Sequence, residues 1–293
     1  VSDTTITTTK DNSGGIQTTG GGTMNATNLT VNTAGNSSAA IRTDRGGGTV
    51  VVDKGTYTST GYNSPAVYST ANVTVKNATL NAENSEALVI EGQNSITLEN
   101  TNVTGNMSSP ECSSSDNNVL NVMIYQSMSG DAESGTATFT MKGGSLTGRN
   151  GDQIYVTNTH SVITLEDVTI TNQDTSGRLL AVLGNDATLG WGTAGANGGQ
   201  VELTTTNQTL TGAIEVDTVS TLNFTMGKGT NFTGTINIVE NAEGGTAVDN
   251  NAVITVEEGA TWTLTGNVKI TSLTNKGTIN LNGYTITLAD GTV

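Results

Sequence analysis

An eight-residue phrase recurs along the chain and strongly limits the folds available to it. It occurs as VVVDKGTY, VTVKNATL, ITLENTNV, FTMKGGSL and ITLEDVTI, starting at positions 50, 73, 96, 139 and 163. Three of the four intervals are 23 or 24 residues, and the interval of 43 equals one period plus an insertion of about 20. Repetition at this period is typical of a solenoid, in which each repeat forms one coil.

Apolar residues within each copy alternate as they do in a strand that has one buried side. Val73 and Val75 stand first and third, Leu80 stands eighth, and Asn77 marks a corner between them. A third apolar stretch, such as ALVI at 87–90, completes each period. The pattern predicts three short strands and three corners per coil, and about nine coils of roughly 23 residues in all.

Composition agrees with an all-β fold. The chain has 56 Thr, 37 Gly and 2 Pro among 293 residues. Thr favours extended backbone because its Cβ carries two heavy branches, and Gly and Asn allow tight corners. We predict a single parallel β-helix over residues 28–283. Residues 1–27 are expected to form a strand and linker, and residues 284–293 a terminal strand, each capping the helix or joining another subunit.

The fourth residue of each copy tests whether the coils stack in register. These residues point outward and alternate in charge, and they are Asp53, Lys76, Glu99, Lys142 and Glu166. Coils stacked in register would place each of these charges beside an opposite one, and like-charge contacts would be avoided. The alternation therefore predicts that the five side chains form one column.

Short polar residues flank the buried residue of the strand that ends each phrase. The predicted pairs are Asn28/Thr30, Thr56/Thr58, Thr79/Asn81, Asn102/Thr104, Ser145/Thr147, Thr169/Thr171, Thr209/Thr211, Asn231/Thr233 and Thr261/Thr263. Stacked, they would form a flat, uncharged wall along the rod. Such a wall suits the exposed side of any flat sheet, but it is also a candidate ligand surface, with Thr169, Thr171, Thr209 and Thr211 as candidate binding residues.

Several phrases resemble a known group of proteins. NSPAVYST, NVMIYQSMSG, YVTNT and GWGTAGANGG are similar to adhesin-like surface proteins of anaerobic, mostly gut, bacteria. The chain also resembles right-handed parallel β-helix proteins of the pectate-lyase-like superfold, over most of 37–293. The resemblance implies a right-handed helix and a secreted or cell-surface location, and it supplies no catalytic motif that maps onto this sequence.

Insertions are expected to emerge from one corner of the rod. Segments 126–136, 184–199 and 239–251 are all assigned to the corner between the second and third strand of a coil, whereas 105–118, with Cys112, lies at a different corner. Loops on a rigid scaffold often carry binding function. In the second loop, Trp191 lies near Asp186 and Asn197, a combination suited to a sugar-binding patch if the ring is exposed. The competing interpretation is that Trp191 folds back onto the core.

Enzyme function has weaker support in the sequence. The best cluster for a polysaccharide lyase is formed by Arg42, Asp44 and Arg45. His160 is the single His, so neither a His-based metal site nor a catalytic triad is favoured. A lyase or glycoside hydrolase would gather carboxylates and an Arg in one groove. We expect no catalytic residues, no metal and no cofactor.

Charge and hydropathy restrict the partners. The net charge of −15 disfavours nucleic acid and anionic lipid, and no apolar run is long enough to span a membrane. Val1 is not followed by a charged region and then an apolar one, so any signal peptide is expected to have been removed or to lie outside this sequence. The leading hypothesis is a non-catalytic extracellular adhesin or structural module that binds glycans, a host or cell-surface ligand, or other subunits. The alternatives are a filament subunit joined through terminal strands, a polysaccharide-active enzyme, and an ice-binding protein.

Overall fold

The computed structural model describes residues 1–114 and 116–293 as a parallel β-helix. Within these residues, strands form two parallel sheets, each with a path of eleven strands. A 3-10 helix at Pro110–Cys112 interrupts one loop. No helix in the described residues is long and apolar enough to cross a bilayer.

The strands of the two sheets alternate along the chain. The first sheet comprises β1 (Thr5–Thr8), β3 (Gly22–Thr33), β5 (Gly48–Ser59), β7 (Asn72–Lys76), β8 (Thr79–Ala82), β10 (Ser95–Gly105), β12 (Thr136–Gly148), β14 (His160–Glu166), β15 (Thr169–Asn172), β17 (Gln200–Thr206), β19 (Thr221–Met226), β21 (Ala252–Val256) and β24 (Ser272–Asn275). The second comprises β2 (Ile16–Thr18), β4 (Ile41–Thr43), β6 (Val67–Ser69), β9 (Leu88–Glu91), β11 (Leu120–Tyr125), β13 (Asp152–Thr157), β16 (Leu180–Val182), β18 (Thr209–Asp217), β20 (Asn231–Val239), β22 (Thr261–Thr263), β23 (Val268–Lys269), β25 (Thr278–Asn280) and β26 (Ile286–Thr287).

Each coil has three faces, as predicted, although the faces are shared between two sheets. In one coil, β7 forms the first face, β8 the second and β9 the third. In β5, β10 and β12 the first and second faces are one continuous, bent strand. In β18 and β20 the second and third faces are continuous instead. The second face therefore changes from one sheet to the other along the rod.

The corner between the first and second faces is made by residues in the left-handed conformation. Asn77 has φ 53°, Asn100 φ 47°, Gly143 φ 65° and Asp167 φ 54°. Asn, Asp and Gly tolerate positive φ better than other residues, which explains why the phrase places them there. The prediction of the corner from these residue types is confirmed.

Strand register confirms the predicted column of charges. Asp53 pairs with Lys76, Lys76 with Glu99, Glu99 with Lys142, and Lys142 with Glu166. Ion pairs join Lys76 to Glu99 and Lys142 to Glu166, each at 3.0 Å. Because these side chains are substantially exposed, the ion pairs are screened by solvent and add little stability. The column shows that the coils stack in the predicted register.

The core fills the inside of the helix with the residues that the alternation predicts to be inward. Val73, Val75 and Leu80 are fully buried, and towards the C-terminal end Phe232 stacks on Trp262 with 6.0 Å between ring centroids. Burying a side chain of this size stabilises the fold by about 1.5–3 kcal/mol. Trp262 therefore belongs to the core, as its inward position indicates.

Coil length varies around the predicted period of roughly 23 residues. The distance between paired residues is 26 positions from Thr30 to Thr56 and 23 from Thr56 to Thr79, but 17 from Thr261 to Thr278. The spacing does not fall steadily along the chain, because Asn231 and Thr261 are paired 30 positions apart, across the insertion 239–251. Coil length therefore varies along the rod.

The terminal segments also extend the sheets. β1 pairs with β3 and β2 with β4, so much of segment 1–27 forms a coil that was not counted among the predicted nine. At the other end, β26 pairs with β23. In the described residues the path of eleven strands, at about 4.8 Å each, gives a stack of about 50 Å.

Candidate functional site

The predicted sugar-binding patch does not form around Trp191. The Trp191 side chain is only 5% exposed and lies against Tyr125, with 4.5 Å between ring centroids. Asn197 is also buried, and its amide donates to the backbone carbonyls of Asn185 and Trp191 at 3.0 and 2.9 Å. The prediction of a solvent-reachable ring is therefore wrong, because loop 184–199 folds back onto the helix.

Asp186 lies at the exposed edge of the same loop. Its carboxylate accepts hydrogen bonds from the Thr188 backbone N–H at 2.9 Å and hydroxyl at 2.7 Å. These bonds lower the pKa of Asp186. Such a turn is a local structural role, so the structure does not bring Asp186, Trp191 and Asn197 together as a binding surface.

Trp191 covers the outside of the third face rather than the interior. A second apolar cluster there includes Val89, Met123, Tyr155 and Ala181, which are outward-pointing residues of successive third-face strands. Met107 and Cys112 of loop 105–118 complete this cluster from the opposite side. Both sides of these strands are therefore buried, which explains continuous apolar runs such as VMIY at 122–125.

The Thr/Asn wall exists on the second face, but it is interrupted. From β1 to β15 the ladder is continuous, and it resumes from β18 to β25. No strand pairing in the described residues joins β15 to β18. The register between β3 and β5 also shows that Thr30 pairs with Thr56 and Asn32 with Thr58. The correct first pair of the wall is therefore Thr30/Asn32 rather than Asn28/Thr30.

The four candidate threonines line the interruption. A cleft of about 340 Å³ is bounded by Thr169 and Thr171 on one side and Thr209 and Thr211 on the other, with Ile170 below. Ile170 is half-buried, whereas the equivalent Leu146 is fully buried. The structure therefore brings these four residues together around a slit, and not as part of one flat surface.

The three predicted loops do emerge from one corner. Each follows a third-face strand and precedes a first-face strand, after β11, β16 and β20 respectively. Buried Asp217 ties two of them together, because its carboxylate accepts from the Gly184 backbone N–H at 2.7 Å and from the Asn241 side chain. The prediction of one shared corner is confirmed, but the predicted corner, between the second and third strand of a coil, is wrong, because the loops join the third face of one coil to the first face of the next.

A second cleft, of about 240 Å³, opens on the outside of the third face near the N-terminal coils. We call it the third-face cleft. It is lined by Asn12, Ser37, Ala39, Arg42, Asp44, Asn63, Pro65, Tyr68, Glu86, Val89, Ser114, Met123, Tyr125 and Asp131. Its floor follows one outward column, in which Arg42 pairs with Tyr68 and Tyr68 with Val89.

Two loops that reach back along the rod form its walls. On one side, the backbone N–H and hydroxyl of Ser114 donate to the Asn63 side-chain oxygen at 3.4 and 3.0 Å. On the other side, Asp131 of loop 126–135 pairs with Arg45. Each contact connects residues far apart in sequence, so the cleft is assembled by the coil geometry.

Opposite charges are paired within the cleft. The Arg42 guanidinium donates to both carboxylate oxygens of Asp44, at 3.1 and 3.2 Å, and to the Ser37 carbonyl at 2.6 Å. Sequence analysis identified Arg42, Asp44 and Arg45 as a cluster. The structure places Arg42 and Asp44 in the lining and Arg45 at the rim.

Buried carboxylates lie behind these residues. Glu86 is 1% exposed and accepts hydrogen bonds from the hydroxyls of Ser85 and Ser113. Burial is the main cause that raises the pKa of Glu86. Glu91, equally buried, accepts from the phenol groups of Tyr68 and Tyr125. These bonds fix the orientation of both rings at the cleft.

Sequence reasoning missed Tyr68 and Glu86 as site residues. The available signal was the third-strand phrase itself, because PAVY and ALVI place large side chains at outward positions where a solvent-facing strand would have polar ones.

Sequence reasoning also missed a column of threonines on the first face. Within the described residues this column has eight successive threonines, Thr74, Thr97, Thr140, Thr164, Thr204, Thr225, Thr255 and Thr274.

Comparison with known proteins adds no family. The described part of the chain holds no group of three or more His, Cys, Asp or Glu side chains arranged to hold a metal ion. No protein-family model, curated protein or solved structure matches the chain. The parallel β-helix is therefore established by its own strand pairing, and the relationship to adhesin-like surface proteins remains a prediction.

Proposed function

We propose that the protein is a carbohydrate-binding β-helix, displayed outside the cell, that holds a neutral glycan in the third-face cleft. The observation that carries this proposal is the cleft lining, which combines the rings of Tyr68 and Tyr125 with amide, hydroxyl and carboxylate groups. Aromatic rings cover the apolar faces of sugars, and fixed polar groups around them provide orientation and specificity. An adhesin-like role follows if that glycan belongs to another surface.

The charges of the cleft favour an uncharged ligand. Arg42 is the one cationic side chain in its described lining, and it is engaged by Asp44 and Ser37. Asp44, Glu86 and Asp131 add acidic groups, and the whole chain carries a net charge of −15. Acidic polysaccharides would be repelled, so a lyase acting on them has little support.

The test is a glycan array followed by titration calorimetry. We expect neutral oligosaccharides to bind the parent protein, and the Asp44→Asn variant to bind them at least ten-fold more weakly because a charged hydrogen-bond acceptor is lost. Asp167→Asn is the matched control, since Asp167 is exposed at a corner where Asn is tolerated. Absence of any neutral-glycan binding by the parent protein would remove the proposal.

A glycoside hydrolase is the second candidate, because two carboxyl groups, Glu86 and Asp44, line the same cleft. A protonated Glu86 would donate its proton to the departing glycosidic oxygen as the carbon–oxygen bond breaks, while Asp44 would accept a proton from the attacking water. Incubation with neutral oligosaccharides should then release new reducing ends, and Glu86→Gln should abolish this release. A day-long incubation that produces no reducing ends would exclude this candidate.

The remaining alternatives receive less support from the structure. For a filament joined through terminal strands, β1 already pairs with β3, and β26 pairs with β23 of the same chain, so both terminal strands are engaged within one rod. For ice binding, the second-face wall is interrupted at Thr169–Thr171 and Thr209–Thr211, and the threonine column of the first face runs beside charged residues.

A further inference from the structure

We infer that the third-face cleft receives the end of a glycan chain and excludes internal segments of the chain. This inference rests on the proposed function, because it concerns how the same cleft would select its ligand. The geometry that carries it is a groove that is open at one end and closed at the other. A groove of that shape admits a chain end, whereas an internal segment needs two exits.

Exposure along the floor shows which end is open. The outward column runs from Gln17 through Arg42 and Tyr68 to Val89 and Met123. Gln17 is exposed, Arg42 and Tyr68 are half-buried, and Val89 and Met123 are buried at 1% and 3% exposure. The floor therefore becomes steadily covered with distance from the first coil, and the open end faces Gln17.

Trp191 and its neighbours close the other end. The Trp191 ring lies against Tyr125, which lines the cleft, with the two ring planes tilted by 52°, and the next outward residue of the floor, Tyr155, is 1% exposed. The Tyr155 hydroxyl donates to Asp116 of loop 105–118 at 2.7 Å. Loops from two corners thus meet over the third face and block any path along the rod beyond Met123.

The sides are closed by the two walls already described. Ser114 and Asn63 bound one side, and the ion pair between Arg45 and Asp131 bounds the other. A volume of about 240 Å³ is below the usual range of about 300–1,000 Å³ for drug-sized ligands, which fits one or two sugar residues. The terminal residue would lie deepest, against Tyr125 and Glu86, and the rest of the chain would leave past Arg42.

The test uses arrays on which each neutral oligosaccharide is attached in two orientations. One set, of α- and β-linked gluco-, galacto- and manno-oligosaccharides, is tethered through the reducing end, and the second set through the non-reducing end. We expect each bound sequence to give a signal in one orientation and at least a ten-fold weaker signal in the other. Equal signals in both orientations would overturn the inference while leaving carbohydrate binding intact.

Two further outcomes are informative. If neither orientation binds, the proposed function fails and chain-end recognition fails with it, so the two failures are distinguishable. Trp191→Ala should open the closed end, and the variant should then bind both orientations to within about three-fold. Its thermal unfolding is recorded in parallel, and the orientation test on the parent protein decides the matter even where this variant is unstable.

Discussion

The side-chain amide of Gln208 forms two hydrogen bonds with the backbone of Val168, accepting from its N–H at 3.0 Å and donating to its carbonyl at 2.7 Å. Val168 and Gln208 directly precede β15 and β18, the two strands whose ladder is interrupted. The Gln208 side chain is fully buried and acts as a substitute peptide group at the point where strand pairing is lost. It therefore links the part of the rod in which the second face belongs to the first sheet to the part in which it belongs to the second sheet.

Replacement of this amide should be costly. Gln208→Leu leaves a buried N–H and carbonyl of Val168 without these partners, and each unsatisfied group costs about 1–3 kcal/mol. We expect a clear fall in the unfolding midpoint, measured by circular dichroism. Gln200→Leu is the control, since Gln200 is exposed on the first face and should change stability by about 0.5 kcal/mol or less. Equal midpoints for the two variants would contradict this role.

Reversal of one charge should disturb the charge column. Lys76→Glu places three acidic residues in succession, between Asp53 and Glu99, and should destabilise the protein by about 1 kcal/mol at low salt. The loss should shrink in 1 M NaCl because salt screens exposed charges. The added change Glu99→Lys should restore part of the stability. Lys269→Glu, in a column without charged neighbours, should have little effect, and an equal loss there would refute the coupling.

Stability should fall as pH rises through the titration of Asp116. Burial is the main cause that raises the pKa of Asp116 to about 6, from an unfolded value of 3.8. The folded state therefore binds the proton more tightly, so its contribution is present below pH 3.8 and is lost as pH rises towards 6. Chemical denaturation at pH 4, 5, 6 and 7 should show a smaller decline for Asp116→Asn than for the parent.

The exposed residue Asp249 provides the matched control for this titration. Asp249→Asn should follow the parent curve across the whole range, because its side chain is exposed and the substitution changes no buried group. If Asp116→Asn and Asp249→Asn both follow the parent, burial of Asp116 does not govern the pH dependence.

Removal of the Trp191 ring should release the loop that carries it. Trp191→Ala leaves a space beside Tyr125, and truncation of a buried Trp typically costs about 3–5 kcal/mol. We expect protease cleavage within 184–199 to become much faster, followed by gel analysis of the fragments. Tyr284→Ala, at a side chain that is 39% exposed, should leave the cleavage pattern unchanged. An unaltered cleavage rate in Trp191→Ala would show that the ring does not hold the loop.

Local sequence patterns predicted the coils but not the cleft. The phrase around Val73 and Val75 determines strand, corner and face, because alternation and positive-φ residues act over a few positions. The charges of Lys76 and Glu99 even indicated register. Trp191 was ambiguous, since its burial depends on a loop that folds over outward residues of other coils. Glu86 and Tyr68 meet Asp44 only through coil stacking, which no short window of sequence reveals.

The break between β15 and β18 was equally hidden. The break arises where the second face passes from the first sheet to the second. This change of sheet depends on β18, which runs into the third face without a loop after Thr211, and not on the threonines themselves. In the sequence, Thr169/Thr171 and Thr209/Thr211 look like any other pair of the wall. Gln208 stands at a position where the phrase elsewhere has small or apolar residues, such as Ala78, and this was the available signal.

The difference in length between coils affects how the chain folds. Identical repeats allow a nascent coil to stack one step too early or too late, because every neighbour offers the same edge. Here a coil of 26 residues and one of 17 present edges of different length, so a misplaced coil leaves polar backbone groups without partners. Differences in edge length thus favour stacking of each coil in its own register.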